Sequence, residues 1–327
     1  MTQQLPISYK TDMPKRFREL IKQDGCTILP GVFDGISTHL AAAAGFDALY
    51  LAGSGTSGSL IGEADLSVIT ADELANAARM MVGVSSVPIL ADADTGFGGP
   101  LNVARTIALY ESAGVAGCHI EDQTFPKRCG QLTGKDVVDM ETYLERIVAA
   151  VKARRNPDFV IIARTDARNA TTFGGQEAGE DAFEEGVKRL EAALKAGADV
   201  AFMESPRTRD ECERLVKALH PHPVMINVLP NGLTGNYTAK DCTDMGFKLG
   251  IFPCTGFIPA AIAMKKSYQA LKDAGSDLDH CQDWQIKTFF EHVGLQQAWE
   301  FDREVAEHTK KDVKPQKYEN LTSHDLF

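Results

Sequence analysis

The sequence lacks the features that would place this chain in a membrane or in an oxidising compartment. No apolar run is long enough to span a bilayer, and the polar segment 1–10 lacks the apolar stretch of a signal peptide. The seven cysteines are odd in number and irregularly spaced, so they do not read as a disulfide framework. There is no CxxC pair or Cys/His spacing typical of structural zinc. We therefore expect a cytoplasmic protein in a reducing setting.

The chain also has fewer basic than acidic residues. The 34 Lys and Arg residues face 45 Asp and Glu residues, which gives a formal net charge of −11. This balance argues against nucleic acid or an anionic membrane as a partner. With 44% hydrophobic and 24% charged residues, the composition is typical of a globular protein with a large core. A length of 327 residues would allow two domains, but single α/β barrels commonly reach this size.

Eight short apolar runs recur along the chain, each long enough only for a strand. Most are apolar almost throughout, as strands buried on both faces must be. The amphipathic stretches between them predict helices, such as Ala71–Met81, where Thr70 and Glu73 form a capping-box pattern. The predicted strands are Cys26–Pro30, Asp47–Ala52, Val87–Ala91, Val115–Ile120, Phe159–Ala163, Asp199–Met203, Pro223–Asn227 and Lys248–Phe252. The other predicted helices are Leu101–Ala113, Met140–Arg154, Asp181–Ala196 and Arg209–Leu219.

Strands that alternate with helices imply a parallel sheet, and eight is the number that closes a (β/α)8 barrel of the TIM type. An open doubly wound sheet is the alternative, but no GxGxxG follows the first strand. We predict a catalytic barrel domain over residues 1–275 and a C-terminal helical extension with a polar tail over 276–327. The extension is expected to contain one helix, Trp284–Glu307, and a mobile end from Lys311.

Two carboxylates, Asp92 and Asp94, come directly after the third apolar run and are followed at once by glycines. Carboxylates at a strand end, beside a loop that lets a ligand approach the backbone, suit a hard divalent cation. Mg²⁺ prefers such oxygen ligands and usually keeps several waters. An acidic turn after a buried strand is the simpler alternative.

Polar or charged side chains also end the neighbouring predicted strands. They are the Gly53–Thr56 turn after strand two, His119–Asp122 at strand four, Arg164–Asp166 at strand five, Glu204 at strand six and Asn227 at strand seven. Because the active site of a barrel lies at the C-terminal strand ends, we predict that at least half of these residues line one site. The alternatives are local: a loop hydrogen bond for His119, an ion pair of Asp166 with Arg164 or Arg168, a helix cap by Glu204, and a tight turn at Gly53.

The segment Lys127–Gln131, with the sequence Lys-Arg-Cys-Gly-Gln, lies in the long connection after strand four. A cysteine flanked by two cations is expected to have a lowered thiol pKa and to be reactive. Gly130 permits a loop that moves, and a mobile cationic loop near an anionic substrate is typical of a lid that delivers a proton. The alternative is an exposed basic loop in which Cys129 is incidental.

Taken in order, these motifs resemble the isocitrate lyase / phosphoenolpyruvate mutase superfamily, in particular its 2,3-dimethylmalate lyase and oxaloacetate hydrolase-like members. The similarity runs from about Gly31 to about Gly294. It is specific because Asp-Ala-Asp-Thr-Gly, His-Ile-Glu-Asp-Gln and Lys-Arg-Cys-Gly occur in that order. Further matching segments are Pro30–Gly35, Tyr50–Gly55, Gly62–Leu66, Ala163–Asp166 and Asn227.

The resemblance implies a barrel whose last helix is exchanged between neighbouring subunits, usually in a homotetramer of two such dimers. It implies Mg²⁺, or Mn²⁺, bound by Asp92, with Asp65, Asp94 and Glu121 holding its waters. It implies a di- or oxo-carboxylic acid substrate, whose binding set is Ala52, Gly53, Ser54, Asp92, Gly130, Arg164, Glu204, Asn227 and Pro253. Cys129, on a gating loop, would protonate the departing enolate, with Arg164 and Glu121 as further catalytic residues.

Three departures from the superfamily pattern bear on the reaction. Gln131 stands where members usually carry histidine, and glutamine can hydrogen-bond but cannot relay protons. Ile258 stands where methylisocitrate lyases carry an arginine for a third carboxylate, which favours a dicarboxylate. Pro253 stands where oxaloacetate hydrolases place a serine, and proline cannot donate a hydrogen bond to a hydrated ketone.

Together these observations predict a Mg²⁺-dependent carbon–carbon lyase. It would cleave an alkylmalate-type 2-hydroxy dicarboxylate to a 2-oxo acid, pyruvate, and a short monocarboxylic acid. The alternatives are an oxaloacetate hydrolase giving oxalate and acetate, a methylisocitrate lyase, and a catalytically weak paralogue that binds 2-oxo acids.

Overall fold

The computed structural model describes residues 12–309 of the chain. Within this range, a strand forms at every one of the predicted apolar runs. The strands are β1 Thr27–Val32, β2 Leu49–Leu51, β3 Ile89–Asp92, β4 Gly117–Glu121, β5 Val160–Thr165, β6 Val200–Met203, β7 Val224–Asn227 and β8 Leu249–Phe252. Each pairs in parallel with its sequence neighbours, and β8 pairs with β1, so the sheet closes on itself. The predicted (β/α)8 barrel is confirmed.

Helices follow the strands as the alternation requires. They are α1 Met13–Lys22, α2 Gly35–Ala43, α3 Gly53–Leu60, α4 Ala71–Val84, α5 Pro100–Ala113, α6 Met140–Ala153, α7 Glu180–Lys195, α8 Arg209–Leu219, α9 Ala239–Asp244, α10 Phe257–Ala274, α11 Leu278–Cys281, α12 Ile286–His292 and α13 Leu295–His308. The predicted capping box begins α4: the Thr70 hydroxyl accepts from the Glu73 N–H at 3.3 Å, and the Glu73 carboxylate accepts from the Thr70 N–H at 2.8 Å.

Two helix predictions are corrected. The glycine-rich segment from Gly53, predicted as a turn, begins α3, because tertiary packing overrides its weak helix propensity. A Cβ at Gly55 would come within 2.9 Å of Phe33, so glycine permits this close packing. The single helix predicted over Trp284–Glu307 is instead α12 and α13. Gly294, with φ of 99°, adopts the left-handed conformation between them.

Two compact units divide the described residues, 12–258 and 259–309. In the second unit, which holds α11 to α13 and most of α10, the helices bury no side chain, and large apolar residues such as Tyr268 and Trp284 are exposed. The predicted domain boundary at residue 275 stays a prediction. The mobile end predicted from Lys311 lies outside the described residues. No helix within residues 12–309 is both long and apolar enough to cross a membrane.

Alternate residues of the strands fill the inside of the barrel. They are Leu29, Tyr50, Leu90, Ile162, Phe202, Met225 and Ile251, which form one buried cluster. Phe17 of α1 belongs to the same cluster, and Arg18 binds the Asp158 carbonyl at 2.9 Å and the Asp199 carboxylate at 2.8 Å. Because Asp158 and Asp199 precede β5 and β6, α1 closes the N-terminal end of the barrel. The other end is left for ligands.

Candidate active site

The period-two alternation of the strands carries six of the predicted residues to the open mouth of the barrel. Each lies two positions after an inward-facing residue of its strand. Its side chain therefore also points toward the barrel axis, at the C-terminal end of the strand. The six are Ala52, Asp92, Arg164, Glu204, Asn227 and Pro253, all of them buried. The structure therefore brings six of the nine residues of the predicted substrate-binding set to the same end of the barrel.

Arg164 is the central cation of this mouth. Its guanidinium donates to the Asp166 carboxylate from Nε at 2.8 Å and from Nη2 at 3.1 Å. Glu121 lies 3.2 Å away on one side and Glu204 lies 3.6 Å away on the other. Although burial opposes its charge, these carboxylates raise the pKa of Arg164 well above its ordinary value. The group is therefore a fixed positive charge, oriented by a bidentate pair.

Asp92 ends β3 beside a buried pair of rings. Its Oδ1 accepts from the Asp94 N–H at 2.9 Å and lies 3.6 Å from Nε2 of His119. The same His119 nitrogen is 2.8 Å from the Tyr50 hydroxyl, so His119 bonds a residue of β2, two strands away in the barrel, and not a loop. Burial lowers the pKa of His119 to about 4, and the ring is neutral near pH 7. For Asp92, the electrostatic influence of His119, Lys127 and Arg164 outweighs the cost of burial and lowers its pKa.

Asp94 and Glu121 are buried carboxylates with oxygens that lack hydrogen-bond partners. These oxygens are Oδ2 of Asp94 and both carboxylate oxygens of Glu121. Burial, reinforced by Asp92 and Asp65, raises the pKa of Asp94 to about 7 despite the nearby Lys127. Burial also raises the pKa of Glu121 well above its ordinary value. Lys127 binds Oδ1 of Asp94, and Arg164 lies 3.2 Å from Oε2 of Glu121, but the remaining oxygens have no partner, so a further cation or a proton would stabilise both groups.

The charge balance of the mouth also favours a bound cation. Its buried carboxylates are Asp92, Asp94, Glu121, Asp166 and Glu204, while its buried cations are Lys127, Lys135 and Arg164. Within residues 12–309, no three His, Cys, Asp or Glu side chains converge as a ready-made metal ligand set. Mg²⁺ does not require such a set, because it is usually bound by one or two carboxylates and retains waters. The buried carboxylates of the mouth, Asp92 among them, therefore fit such an ion.

The N-terminus of α3 lies against Asp92. Ala52 precedes the helix, and a Cβ at Gly53 would overlap the Asp92 carboxylate, so only glycine permits this approach. The first N–H groups of a helix have no partner within it and favour anions. The predicted Ala52-Gly53-Ser54 binding turn is thus the start of a helix, which supplies the same backbone donors.

The connection between β4 and α6, residues 122–139, covers this mouth and is called here the β4–α6 loop. Lys127 on this loop binds Asp65 at 2.5 Å and Asp94 at 2.7 Å. The Cys129 N–H donates to the Asp65 carbonyl at 3.1 Å. Gly130 lies against Glu204 and Arg164, where a Cβ would come within 2.7 Å of either side chain. The loop is therefore in a closed arrangement, with Cys129 held beside the buried charges.

The predicted lowering of the Cys129 pKa is wrong for this closed arrangement. Burial, followed by the Asp65 carboxylate, raises its pKa to about 11. Adjacency in sequence misled the prediction because the two flanking cations face elsewhere. Lys127 is engaged by Asp65 and Asp94, and the Arg128 guanidinium donates to the Thr133 carbonyl at 3.2 Å. The thiol stays protonated near pH 7, which suits a proton donor better than a nucleophile.

The remaining local alternatives are resolved by their partners. Glu204 caps no helix, since α8 is capped by Thr208, whose hydroxyl accepts from the Glu211 N–H at 3.1 Å. Asp166 does pair with Arg164, but Arg168 binds Glu211 at 2.7 Å instead.

A family model described as phosphoenolpyruvate phosphomutase matches residues 17–272, which is most of the chain and nearly the whole barrel. The chain belongs to the phosphoenolpyruvate phosphomutase family. The resemblance inferred from the strand-end motifs is confirmed.

Members of this family with different reactions are similarly close to the chain. It is 37% identical over 258 residues to 2,3-dimethylmalate lyase of Eubacterium barkeri, covering 79% of this chain and 86% of the relative. It is 34% identical over 300 residues to 2-methylisocitrate lyase of Bacillus subtilis, covering 91% and 95%. A structure of oxaloacetate acetylhydrolase with 3,3-difluorooxalacetate matches with a TM-score of 0.83 at 37% identity, over 91% of this chain and 99% of the other. Family membership therefore makes this chain an enzyme but leaves several reactions open.

Sequence reasoning missed two buried groups near the charged cluster of the mouth. Lys135 donates from Nζ to the Gly130 carbonyl and lies 3.4 Å from Asp166. Tyr50 is buried against His119 under Asp92. The signal for Tyr50 was available, because it is two residues before Ala52 on an inward-facing strand position. Lys135 gave none, since a lysine in a polar loop is ordinarily exposed.

We predict that Cys129 reacts more slowly with iodoacetamide than the exposed Cys281. Burial and the raised pKa leave little thiolate at Cys129 near pH 8, and the thiolate is the reactive form. Peptide mapping after limited alkylation measures both rates in one sample. Faster labelling of Cys129 would show that the β4–α6 loop leaves the closed arrangement in solution.

Proposed function

We propose that this chain is a Mg²⁺-dependent carbon–carbon lyase that cleaves an alkylmalate-type dicarboxylate to pyruvate and a short monocarboxylic acid. The observation that carries the proposal is the place of Cys129 on the closed β4–α6 loop: its N–H is bound to the Asp65 carbonyl at 3.1 Å, and the next residue, Gly130, lies against Arg164 and Glu204. The raised pKa keeps its thiol protonated near pH 7. Cleavage of a 2-hydroxy acid between C2 and C3 leaves a carbanion next to a carboxylate, and a carbanion needs a proton. A half-buried thiol at the mouth can supply it.

The mouth contains groups that bind the anionic parts of a substrate. Arg164 presents a fixed guanidinium, and the start of α3 presents backbone N–H groups beside Asp92. Asn227 adds an amide whose Oδ1 is buried without a partner. These groups favour the 2-oxygen and carboxylates of a 2-hydroxy acid over a neutral ligand. Since they are already in place, little reorganisation is needed as charge develops.

Asp92 would hold Mg²⁺ directly, while Asp65, Asp94 and Glu121 would hold water around it. The ion, when bound, supplies a positive charge that polarises the 2-oxygen of the substrate. Lys127 contacts Asp65 and Asp94 from above, so the β4–α6 loop contributes charge to the same cluster. The Glu121 oxygens accept no hydrogen bond, although Oε2 lies 3.2 Å from the Arg164 guanidinium, and they can take up a proton, which supports the catalytic assignment of Glu121 together with Arg164.

Protonation completes the reaction without any redox change. The electron pair of the broken C2–C3 bond stays on C3 and takes the Cys129 proton, and C2 becomes the carbonyl of pyruvate as its hydroxyl proton passes to the Glu121 carboxylate. Closure of the β4–α6 loop keeps bulk water away from the carbanion. Cys129 must then be reprotonated before the next cycle.

Two positions support an alkylmalate over the substrates named for the relatives. Ile258 is apolar and offers no charge to the third carboxylate of a methylisocitrate. Pro253 is buried at the end of β8 and has no N–H or hydroxyl to donate to a hydrated ketone. Oxaloacetate hydrolysis is the second candidate, because the structural likeness to oxaloacetate acetylhydrolase covers 91% of the chain.

A substrate panel tests the proposal. With Mg²⁺ present, 2,3-dimethylmalate should give pyruvate and propionate, with a higher kcat/KM than 2-methylisocitrate or oxaloacetate. Product identification by mass spectrometry separates this outcome from oxalate and acetate, which would make the chain a hydrolase. A higher kcat/KM for 2-methylisocitrate would overturn the argument from Ile258.

Removal of Mg²⁺ is expected to abolish turnover and leave the circular dichroism spectrum unchanged. Asp92→Ala should lose more activity than Asp65→Ala, since direct ligation contributes more than the placement of a water. Asp72→Ala, which alters an exposed carboxylate on α4, is the matched control and should keep full activity. Undiminished turnover in a preparation shown to be metal-free by elemental analysis would contradict the proposal.

Replacement of the proposed donor by a weaker acid should slow the chemical step. We expect Cys129→Ser to lower kcat by roughly 10²- to 10⁴-fold, the usual contribution of general acid catalysis, with little change in pyruvate affinity. Steady-state kinetics and product inhibition measure the two quantities, and Cys281→Ser serves as the control. If Cys129→Ser keeps near-normal kcat, the thiol is incidental and another group is the donor.

A further inference from the structure

The side-chain amide of Gln131 joins three separate segments of the barrel mouth. Its Nε2 donates to Oε1 of Glu204 at 2.8 Å and to the Ser205 hydroxyl at 3.0 Å. Its Oε1 accepts from the Leu233 N–H at 2.9 Å. All of these bonds run from the β4–α6 loop to other elements, 73 to 102 positions away in sequence. One side chain therefore ties the loop to the end of β6 and to the β7–α9 connection.

The contacts of Glu204 reach from this amide into the substrate-binding groups. Its Oε1 also accepts from the Ser205 hydroxyl at 2.9 Å, and its Oε2 accepts from Asn227 at 3.1 Å. Arg164 lies 3.6 Å from the same Oε2. A substrate that engages Arg164 or Asn227 therefore acts on the carboxylate that Gln131 holds.

The backbone around the amide is shaped to receive it. A Cβ at Gly232 would come within 2.9 Å of the Gln131 Oε1, so glycine leaves room for the amide. Ser205 has φ of 58°, a left-handed conformation that costs energy for a residue other than glycine. That conformation places its hydroxyl between Gln131 and Glu204. Strain of this kind persists only where surrounding contacts fix it.

We propose that Gln131 is a positioning residue that latches the β4–α6 loop shut and couples its closure to the Glu204 carboxylate. The partners permit a single orientation of the amide, because Nε2 faces two acceptors and Oε1 faces a donor. Glutamine alone fits this pattern without a titratable group of its own. The other charged groups that face the latch are Arg164, through Glu204, and Lys135, through the Gly130 carbonyl.

Gln131→Glu is the sharpest kinetic test, because it keeps the size of the side chain and replaces its donor group by an oxygen. Two carboxylates then face each other and require a shared proton to close the latch. The variant should lose roughly 10- to 100-fold in kcat/KM at pH 8, the effect of losing a hydrogen bond to a charged group. It should recover as the pH falls toward 6, whereas the wild type shows no such recovery.

Two further variants separate latching from general damage. Gln131→Ala should lower kcat/KM by a similar factor at every pH, because it removes the bonds without adding a charge. Gln23→Glu makes the same chemical change at the exposed residue that ends α1, at the opposite end of the barrel, and should leave kcat/KM unchanged. Thermal unfolding of each variant shows that it is folded.

The kinetic arm rests on the proposed function, so a second measurement avoids turnover altogether. Release of the loop exposes Cys129 to the reagent. Its alkylation rate with iodoacetamide should therefore rise at least about tenfold in Gln131→Glu and in Gln131→Ala. A tenfold change corresponds to the loss of one net hydrogen bond of about 1.4 kcal/mol. Cys281 in the same sample provides the reference rate. If the chain turned over none of the tested acids, faster labelling would still support the latch and only the proposed function would fail.

The proposal is overturned by variants that behave like the wild type. A Gln131→Glu profile parallel to that of the wild type, with kcat/KM within about twofold, would show that the amide does not control closure. Equal labelling of Cys129 in all variants would show the same without reference to any substrate. Either result would reduce Gln131 to a contact of the closed loop with no influence on it.

Discussion

A parallel strand in a closed barrel can turn only every second side chain inward, and this constraint decides which residues of the chain reach the active-site mouth. Leu90 faces the barrel interior, so Asp92 must follow it at the rim, and Ile162 and Phe202 set Arg164 and Glu204 in the same way. A one-residue slip of β5 would turn Arg164 outward and leave its carboxylate partners buried without a cation. The strand register that buries the apolar core therefore also places the charged residues at the rim.

The β4–α6 loop supplies part of the positive charge of the barrel mouth. The rim gathers more carboxylates than cations, and Lys127 and Lys135 both come from the loop. Opening the loop would remove both lysines from a buried cluster, so its closure has a Coulombic as well as a hydrogen-bonded component. Buried ion pairs lose much of that gain to desolvation, which leaves the directional bonds of Gln131 and the Cys129 N–H to decide the geometry. A cation bound at Asp92 would also reduce the excess negative charge of the rim.

Most of the fold and of the site membership could be predicted from the sequence, because both follow from local periodicity. Apolar runs predicted every strand of the closed barrel, and the polar residues after β3, β5, β6 and β7 predicted groups that meet at its mouth. What could not be predicted depends on long-range neighbours. The pKa of Cys129 rises because the closed loop buries the thiol and because Asp65, 64 positions earlier, lies near it, and Lys127 binds that same carboxylate. The helix at Gly53 forms because packing against Phe33 and Phe257 overrides glycine's poor propensity.

The tether of Cys129 has a stereochemical consequence. Its backbone N–H is bound to the Asp65 carbonyl, and the neighbouring residues are fixed to β6 and to the β7–α9 connection. In the proposed reaction, a thiol held in this way would deliver its proton to one face of the planar enolate. The new hydrogen would then take one of the two prochiral positions on the methylene of propionate. Because propionate itself is achiral, the direction from which the loop closes would show only in the placement of a deuterium taken up from solvent.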